Sequence, residues 1–413
     1  MRVHVIGAGL AGLAAAVRLA DAGIEVVIHE AAPQAGGRCR SYYDHALGMV
    51  IDNGNHLLLS GNHAALSFLR AIGADHPLSG PRTTEFPFTD VATGARWCLR
   101  ANAGRLPWWI FLPDHRAPGT RARDHLAILR LLWARAASPI AAAMPCSGVT
   151  YDLVWRPILL AALNTDPPEA DAGLAAAVIR ETLLAGGRAY RPLIAREGLS
   201  ATLVDPAIRH LQRRGATIRL EHNLHGLRFA DRRVVALRFA HDAVHLAPTD
   251  AVVLAVPPFM AQALLPDLQA PDEYRAIVNG HFAIAPPAGF PPMMGVINGT
   301  IEWIFAFPGR LSVTISGADR LLAAPREALA EAMWRDVAAV AGIAEKLPAW
   351  QIVRERRATF AALPEQNAKR PGVLTEWENL VLAGDWTATG LPATIEGAIR
   401  SGNRAAELLN PKA

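Results

Sequence analysis

Apolar runs at the amino-terminal end of the chain predict a strand, a helix and a second strand in close succession. Residues 2–6 have the pattern of a short buried strand, residues 10–21 of an alanine-rich helix, and residues 24–28 of another strand. The turn between the first strand and the helix contains Gly7, Gly9, Leu10, Ala11 and Gly12. This turn, together with Glu30 just past the second strand, predicts an α/β fold with a dinucleotide-binding turn.

A similar pattern occurs at the carboxyl-terminal end. Residues 380–383 are predicted to form a strand that leads through Gly384 and Asp385 into a glycine-containing turn, and a helix follows through residue 409. A helix that begins after such a turn presents free N–H groups and a positive dipole end to a phosphate. We therefore expect a phosphate-binding turn at each end of the chain.

Residues 105–135 combine apolar aromatic side chains with arginines. Residues 106–113 contain two tryptophans and a phenylalanine between prolines, and a helix is predicted to begin at Asp124. The apolar face of this predicted helix consists of Leu126, Leu129, Leu132 and Trp133. Two interpretations are open from this stretch alone: an anchor inserted at a lipid interface with its arginines at the headgroups, or an amphipathic helix packed on its own domain.

The composition narrows the class of protein. The chain has 413 residues and a formal net charge of +4, without a dense basic run, so we expect no nucleic-acid partner. Cys39, Cys98 and Cys146 are scattered, which predicts neither a metal site nor a disulfide framework and fits a reducing cytoplasm. No signal peptide is expected ahead of the first strand, and the longest uncharged run, residues 276–301, contains four prolines and cannot form one spanning helix.

The two glycine turns, with Gly36, Gly37 and Arg38 between them, resemble the superfamily of flavin amine oxidases, protoporphyrinogen oxidases and phytoene desaturases. The resemblance implies an α/β architecture: a Rossmann-like FAD-binding domain of glutathione reductase type, with an interleaved α+β substrate domain. The implied FAD-binding domain comprises residues 1–80, 192–258 and 368–413. The implied substrate domain comprises residues 81–191 and 259–367.

The resemblance also implies how FAD is held. The pyrophosphate would lie on the first turn beside Arg38, the adenosine ribose on Glu30, and the ribityl–pyrophosphate region near Asp385. The full implied set is Gly7, Gly9, Leu10, Ala11, Gly12, Glu30, Ala31, Gly36, Gly37, Arg38, Gly54, Asn55, His56, Leu224, Gly384, Asp385, Thr394 and Ile395. Because the carboxyl-terminal flavin turn contains no cysteine or histidine, we expect non-covalent binding.

Within the superfamily, several further stretches are similar to the hydroxysqualene dehydroxylases. These stretches are 52–61, 155–157, 162–165 and 308–313. The resemblance implies a bacterial enzyme of squalene and hopanoid synthesis that replaces the allylic hydroxyl of hydroxysqualene with hydrogen. Loss of that oxygen needs protonation or hydrogen bonding in an otherwise dry site, and His56, Asn164 and Asp166 are the candidates for this role, together with Glu302. Structural roles are the alternative: His56 could serve only to fix its turn by hydrogen bonds, and Asp166 could be just a turn residue.

The implied substrate changes the interpretation of residues 105–135. A thirty-carbon isoprenoid has a transfer cost of about 0.8 kcal/mol per methylene, or roughly 20 kcal/mol in total, so it must come from a bilayer. We therefore expect this stretch to face the membrane, and the protein to associate peripherally with its inner face. No motif indicates the electron donor.

Two rival functions remain at this point, a phytoene-type desaturase and a non-enzymatic prenyl-lipid-binding protein of the same fold. An amine oxidase is disfavoured, because Lys346, Lys369 and Lys412 all lie outside the predicted strands of residues 280–315.

Overall fold

The computed structural model describes residues 1–74, 78–344 and 346–410. Its strands are β1 (Arg2–Ile6), β2 (Glu25–His29), β3 (Ser41–Asp44), β4 (Met49–Asp52), β5 (Leu58–Leu59), β6 (Thr84–Asp90), β7 (Arg96–Ala101), β8 (Pro192–Leu193), β9 (Thr217–Arg219), β10 (Leu224–Ala230), β11 (Arg233–Phe239), β12 (Ala243–His245), β13 (Ala251–Leu254), β14 (Tyr274–Phe282), β15 (Met293–Ile297), β16 (Trp303–Phe307), β17 (Arg310–Ile315), β18 (Trp350–Phe360) and β19 (Leu380–Leu382).

The α-helices are α1 (Leu10–Asp21), α2 (His63–Ala71), α3 (Ala122–His125), α4 (Ile140–Ala143), α5 (Arg156–Leu163), α6 (Ala172–Glu181), α7 (Asp205–Arg213), α8 (Pro258–Leu264), α9 (Arg326–Ala341), α10 (Pro364–Ala368) and α11 (Ile395–Leu409). Five residues of π-helix precede α5 at Tyr151–Trp155 and α7 at Ser200–Val204. A 3₁₀ segment at Leu126–Trp133 follows α3.

A parallel sheet forms the first layer, in the order β19-β13-β1-β2-β9. After their first residues β1 and β2 are wholly buried, as expected for strands covered on both faces. The two long helices α1 and α11 pack against each other, and a Cβ at Gly402 would lie only 2.1 Å from the carbonyl oxygen of Ala11. A glycine at this position therefore allows the first and last helices to pack closely over the sheet, which brings both chain ends to one site.

A mixed sheet forms the second layer, in the order β18-β14-β17-β16-β15-β6-β7. Along β16 the side chains alternate between two faces: Ile304 packs in the cluster beneath α9, whereas Trp303 and Phe305 belong to the cluster on the opposite side. This alternation gives the sheet one face that is closed by α9 and another that faces the interior of the molecule.

The stretch from Asp124 differs from its prediction. Instead of one helix there is a single α-turn, α3, followed by the 3₁₀ segment Leu126–Trp133. The 3₁₀ repeat is three residues, so Ile128 and Leu131 share the buried face, whereas the Trp133 side chain is 78% exposed. Further along, α6 begins after Asp171, which caps it by accepting from the Leu174 N–H (2.8 Å), and ends at Glu181. Among the described residues, no helix combines the length and the apolar character needed to cross a bilayer.

Candidate functional site

A cavity of about 1050 Å³ lies between the two sheets. At one end it contacts the carboxyl ends of β1 and β2 and the turn after β19, where open parallel sheets bind their ligands. At the other end its wall is apolar, and the larger side chains there are Phe86, Leu99, Trp109, Trp155, Ile158, Met293, Trp303 and Phe305. One continuous space therefore joins the two glycine turns, where phosphate binding is expected, to an apolar interior.

The first glycine turn leaves room for a ligand at Gly9. Gly7 has a φ of +103°, and a Cβ there would lie 2.5 Å from the Ala255 carbonyl oxygen. A Cβ at Gly12 would lie 2.0 Å from the Gly7 carbonyl oxygen. At Gly9, in contrast, a Cβ would meet no atom within 4 Å, and Gly9 lines the cavity at the start of α1. The open position is the one where a pyrophosphate approaches the backbone.

Glu30 is oriented by the backbone around it. Its carboxylate accepts hydrogen bonds from the N–H groups of Ala8 (2.7 Å) and Ala32 (2.9 Å) and lines the cavity together with Ala31. A carboxylate has about four lone-pair directions, so two remain for the hydroxyls of a ribose. This arrangement fits the ribose-binding role that the sequence predicts, which stays a prediction.

Arg38 connects the two ends of the chain. It donates from Nη2 to Asp385 Oδ1 (2.7 Å) and from Nη1 to the carbonyl oxygen of Ala358 (2.6 Å). Gly36 supports this loop by donating its N–H to the Ala8 carbonyl oxygen (2.8 Å), and Gly37 faces Gly9. Because 43% of the Arg38 side chain is exposed, on the wall of the cavity, its charge is available to a phosphate as well as to Asp385.

Arg370, which the sequence analysis did not identify, holds the carboxyl-terminal turn in shape. Its guanidinium donates to the carbonyl oxygens of Asp385 (3.0 Å) and Thr387 (2.5 Å) and lies 4.8 Å from the centre of the Phe360 ring. Desolvation by burial lowers the pKa of Arg370 to about 10. No local motif reveals such a residue, because its partners lie 15 and 17 positions further along the chain.

The helix that follows this turn also begins at the cavity. Thr394 caps α11 by accepting a hydrogen bond from the Gly397 N–H (3.0 Å), and both Thr394 and Ile395 line the cavity. Glu396 has a structural task, since its carboxylate accepts from the Ala64 and Ala65 N–H groups at the start of α2. A carboxylate at a helix amino terminus stabilises that helix, so Glu396 fixes α2 beside the cavity.

The turn from Asn53 to His56 faces the same space. Asn55 is fixed by hydrogen bonds to Thr314 (3.1 Å) and to the backbone of β17, and Gly54 lies against Asn279. His56 makes no side-chain hydrogen bond within the described part of the chain, so it does not secure this turn in the way its structural interpretation supposed. Burial, with the nearby Arg38 charge, lowers the pKa of His56 to about 4, and the ring is therefore neutral at pH 7.

The two other catalytic candidates lie in different surroundings. Asn164 lines the cavity, but its amide is already engaged: it donates to Thr359 Oγ1 (2.9 Å) and accepts from the Gly317 N–H (2.7 Å). Asp166 is not on the cavity wall, its side chain is 57% exposed, and its carboxylate lies 3.8 Å from Arg156. Glu302 is also off the wall, where it accepts from the Ser316 N–H (2.8 Å). Of these candidates, His56 and Asn164 thus line the cavity, whereas Asp166 and Glu302 do not.

A chain of three histidines, which no sequence motif indicated, borders the Leu224 end of the cavity. His222 contacts Asp242 (3.1 Å) through Nε2 and His29 (2.8 Å) through Nδ1, and His29 in turn contacts His4 (3.0 Å). A carboxylate only accepts, so Nε2 of His222 carries a proton in its contact with Asp242. Desolvation lowers the pKa of His29 to about 3 and that of His4 to about 4, so these two stacked rings are neutral.

Neither a cluster of metal ligands nor a lysine lies at the cavity in the described part of the chain. Across residues 1–74, 78–344 and 346–410, no group of three or more His, Cys, Asp or Glu side chains could hold a metal ion. Lys346 and Lys369 do not line the cavity, and Lys412 lies outside the described residues.

Comparison with known proteins identifies the protein family and the fold to which the chain belongs. The family model of flavin containing amine oxidoreductases matches residues 10–410, so the chain belongs to that family. An oxidoreductase from Methanosarcina mazei has the same fold, with a TM-score of 0.76 and 18% identity over 98% of this chain and 100% of that one. Cyclohexylamine oxidase from Brevibacterium oxydans gives a TM-score of 0.71 and 18% identity over 99% and 98%. The predicted Rossmann-like fold is confirmed.

Curated relatives then narrow the family. The chain is 60% identical to hydroxysqualene dehydroxylase of Rhodopseudomonas palustris, over 98% of each protein, and 46% identical to that of Zymomonas mobilis, again over 98% of each. It therefore belongs to the hydroxysqualene dehydroxylases, as its sequence motifs predicted. A probable zeta-carotene desaturase from Synechococcus elongatus is 43% identical over only 74 residues, which are 18% of this chain and 15% of that protein.

Proposed function

We propose that the protein is an FAD-dependent oxidoreductase that converts hydroxysqualene to squalene in squalene and hopanoid biosynthesis. The single observation that carries the proposal is the cavity, because the space beside Gly9 and Asp385 continues without interruption into an apolar interior. The chain is 60% and 46% identical in sequence to two hydroxysqualene dehydroxylases over 98% of its length, which supports hydroxysqualene as the substrate. A phytoene-type desaturase remains the alternative, supported only by a partial match.

The residues at the turns fit non-covalent FAD. The fit rests on the open position at Gly9, the oriented carboxylate of Glu30, and the Arg38–Asp385 pair. The residues proposed to contact FAD are the predicted set of Gly7, Gly9, Leu10, Ala11, Gly12, Glu30, Ala31, Gly36, Gly37, Arg38, Gly54, Asn55, His56, Leu224, Gly384, Asp385, Thr394 and Ile395. When bound and reduced, FAD supplies a hydride to an electron-poor carbon.

In the proposed reaction, the C–O bond breaks with its electron pair going to oxygen, the oxygen takes up one proton that comes from solvent and leaves as water, and the carbon gains the hydride. The apolar wall excludes water, which would otherwise add to an allylic cation. The faces of Trp155, Trp303 and Phe305 offer π electrons to that positive charge.

We propose His56 as the group that hydrogen-bonds the departing oxygen. It lines the cavity and its ring nitrogens are not engaged by other side chains of the described structure. Since its pKa is about 4, His56 acts as a neutral N–H donor rather than as an imidazolium. We propose that Asn164, whose amide joins the end of α5 to β18 and to Gly317 just after β17, positions the wall, and Asp166 has no place in this scheme.

We further propose that residues 105–135 contact the bilayer, with the protein held peripherally at the cytoplasmic face. Trp108 and Phe111 are 62% and 59% exposed, whereas Trp109 between them is buried and lines the cavity. The exposed apolar residues of this surface are Leu106, Trp108, Phe111, Leu112, Leu126 and Trp133. A short segment with its outer residues on the surface and Trp109 on the cavity wall suits the passage of an isoprenoid between the two.

The variant Trp108→Ala/Phe111→Ala/Trp133→Ala is expected to bind anionic liposomes at least about tenfold more weakly, because it removes most of the exposed aromatic area. Cosedimentation measures this effect. Leu374→Ala provides the control, since Leu374 is equally exposed (67%) but lies far along the chain from this surface. Unchanged sedimentation of the triple variant would refute the membrane contact.

We propose that the division between the two sheets follows the predicted domains, 1–80, 192–258 and 368–413 against 81–191 and 259–367. This proposal is supported by the two sheets. All strands of the parallel sheet lie in the first three ranges, and all strands of the mixed sheet lie in the last two.

The proposed reaction is tested with protein that has been reconstituted with FAD and reduced anaerobically by dithionite, which makes the test independent of the natural electron donor. Addition of hydroxysqualene is expected to reoxidise the flavin and to yield one squalene for each flavin. Phytoene offered to oxidised protein should give no desaturated product. Flavin reduction by phytoene, with no squalene formed in the first experiment, would establish the alternative instead.

A further inference from the structure

At the apolar end of the cavity, His125 contacts two tryptophans of the wall, and all three rings carry polar atoms without a hydrogen-bond partner in the described structure. His125 contacts Trp109 edge-on, with ring centres 5.4 Å apart and planes at 88°, and contacts Trp155 at 6.1 Å and 75°. Trp109 and Trp155 line the cavity, and His125 packs beside them. All three are at least nine-tenths buried, and His125 is 3% exposed. A polar group in such a position is unexpected beside a wall that otherwise suits a hydrocarbon.

The hydrogen bond of His125 fixes which of its nitrogens carries the proton. Nδ1 lies 3.0 Å from the carbonyl oxygen of Arg121, and a carbonyl only accepts, so Nδ1 donates and Nε2 keeps a free lone pair. Burial lowers the pKa of His125 below its usual range, which keeps the ring neutral. Within the described residues, His125 Nε2 and the indole N–H groups of Trp109 and Trp155 have no hydrogen-bond partner.

The unpaired atoms therefore comprise one acceptor and two donors. An alcohol oxygen carries one hydrogen and two lone pairs, which is the complementary set. The Tyr190 hydroxyl, which also borders the cavity, lies near Trp109. Leaving buried donors and acceptors unpaired is costly, so a ligand that pairs them binds more tightly than one that does not.

We propose that Trp109, His125 and Trp155 form a recognition site for the hydroxyl group of the substrate, on its path from the surface to the flavin end of the cavity. Trp109 belongs to the segment Trp108–Phe111, whose outer residues are exposed, so the site lies just inside the proposed membrane-facing surface. The inference rests on the proposed function, since it assumes a substrate with one alcohol.

Such a site distinguishes the substrate from the product. Hydroxysqualene pairs the three unpaired atoms, whereas squalene has no oxygen and leaves them unpaired. The alcohol is therefore favoured on the way in, and the hydrocarbon is held more weakly once it has formed. A cavity that bound only through its apolar wall would retain both ligands about equally and would suffer product inhibition.

The test measures the dissociation constants of hydroxysqualene and squalene for oxidised, FAD-loaded protein in detergent. Trp109→Phe keeps an aromatic ring and removes the N–H, and His125→Phe removes the lone pair. Each change is expected to weaken hydroxysqualene binding about five- to tenfold and to leave squalene binding unchanged. In turnover, KM should rise by the same factor while kcat is retained. Trp97→Phe is the matched control, because Trp97 also has an unpaired N–H but does not line the cavity.

Equal weakening of both ligands would show that the rings only pack, and unchanged binding of both would show that a buried water satisfies these atoms. Either result overturns the proposal. Failure of the proposed function is recognised separately, because the native protein would then form no squalene in the anaerobic reaction whatever these variants do.

Discussion

Gly9→Ala is expected to fold normally and to lose its flavin. Gly9 has a φ of −73°, which alanine adopts freely, and a Cβ there would meet no protein atom within 4 Å. The methyl group would instead occupy the space that a pyrophosphate needs at the start of α1. We expect FAD affinity to fall at least about 100-fold, which corresponds to roughly 2.7 kcal/mol, while the thermal stability of the flavin-free protein stays the same or rises.

The measurement is a titration of apoprotein with FAD, followed by flavin fluorescence, together with melting of the apoprotein. Gly372→Ala is a matched control, since a Cβ there also meets nothing within 4 Å and Gly372 is not on the cavity wall. Gly12→Ala should behave differently from both, because its Cβ would collide with the Gly7 carbonyl oxygen and destabilise the fold itself. Native FAD affinity in Gly9→Ala would contradict the proposed site.

The elements that were predictable from sequence are those fixed by local contacts. β1, α1 and β2 follow directly from their apolar pattern, and Gly7 and Gly12 are required by clashes with the backbone just after β13 and with the backbone of the turn itself. At the end of the chain, β19 matches its predicted strand to within one residue and α11 ends at the predicted residue, although it begins earlier, at Ile395. Local pattern and tertiary structure agree here because β1, α1, β2 and β19 are almost entirely buried and α11 packs against α1.

The parts that were not predictable depend on contacts between distant segments. The face of Leu126–Trp133 could not be derived because its buried side is set by the 3₁₀ repeat rather than by the α-helical repeat. Arg370 and the histidines at positions 4, 29 and 222 each act through partners in other elements. Asp166 was a candidate only because of the residues next to it in the sequence. It lies beyond the end of α5 at Leu163, and its exposed side chain is not on the cavity wall.

His56→Phe is expected to lower kcat for hydroxysqualene by about 100-fold while FAD remains bound, because the departing oxygen loses its hydrogen-bond donor. His56→Asn keeps a donor and should recover part of the rate. His225→Phe is the control, since His225 is exposed and lies off the cavity wall. Anaerobic single-turnover measurements separate this step from substrate binding. A native rate in His56→Phe would assign the role to another group.

The pH dependence of kcat separates a neutral donor from a charged one. The pKa of His56 is lowered from 6.5 to about 4, so the ring is unprotonated throughout pH 6–8 and kcat should be flat there. An imidazolium donor with an ordinary pKa would instead make kcat fall about tenfold per pH unit above 6.5. Since the folded-state pKa lies below the unfolded value, the neutral ring contributes stability above pH 6.5 that is lost as the pH falls toward 4. The assay therefore belongs at pH 6–8, where a steep decline in kcat would show that His56 is charged when it acts.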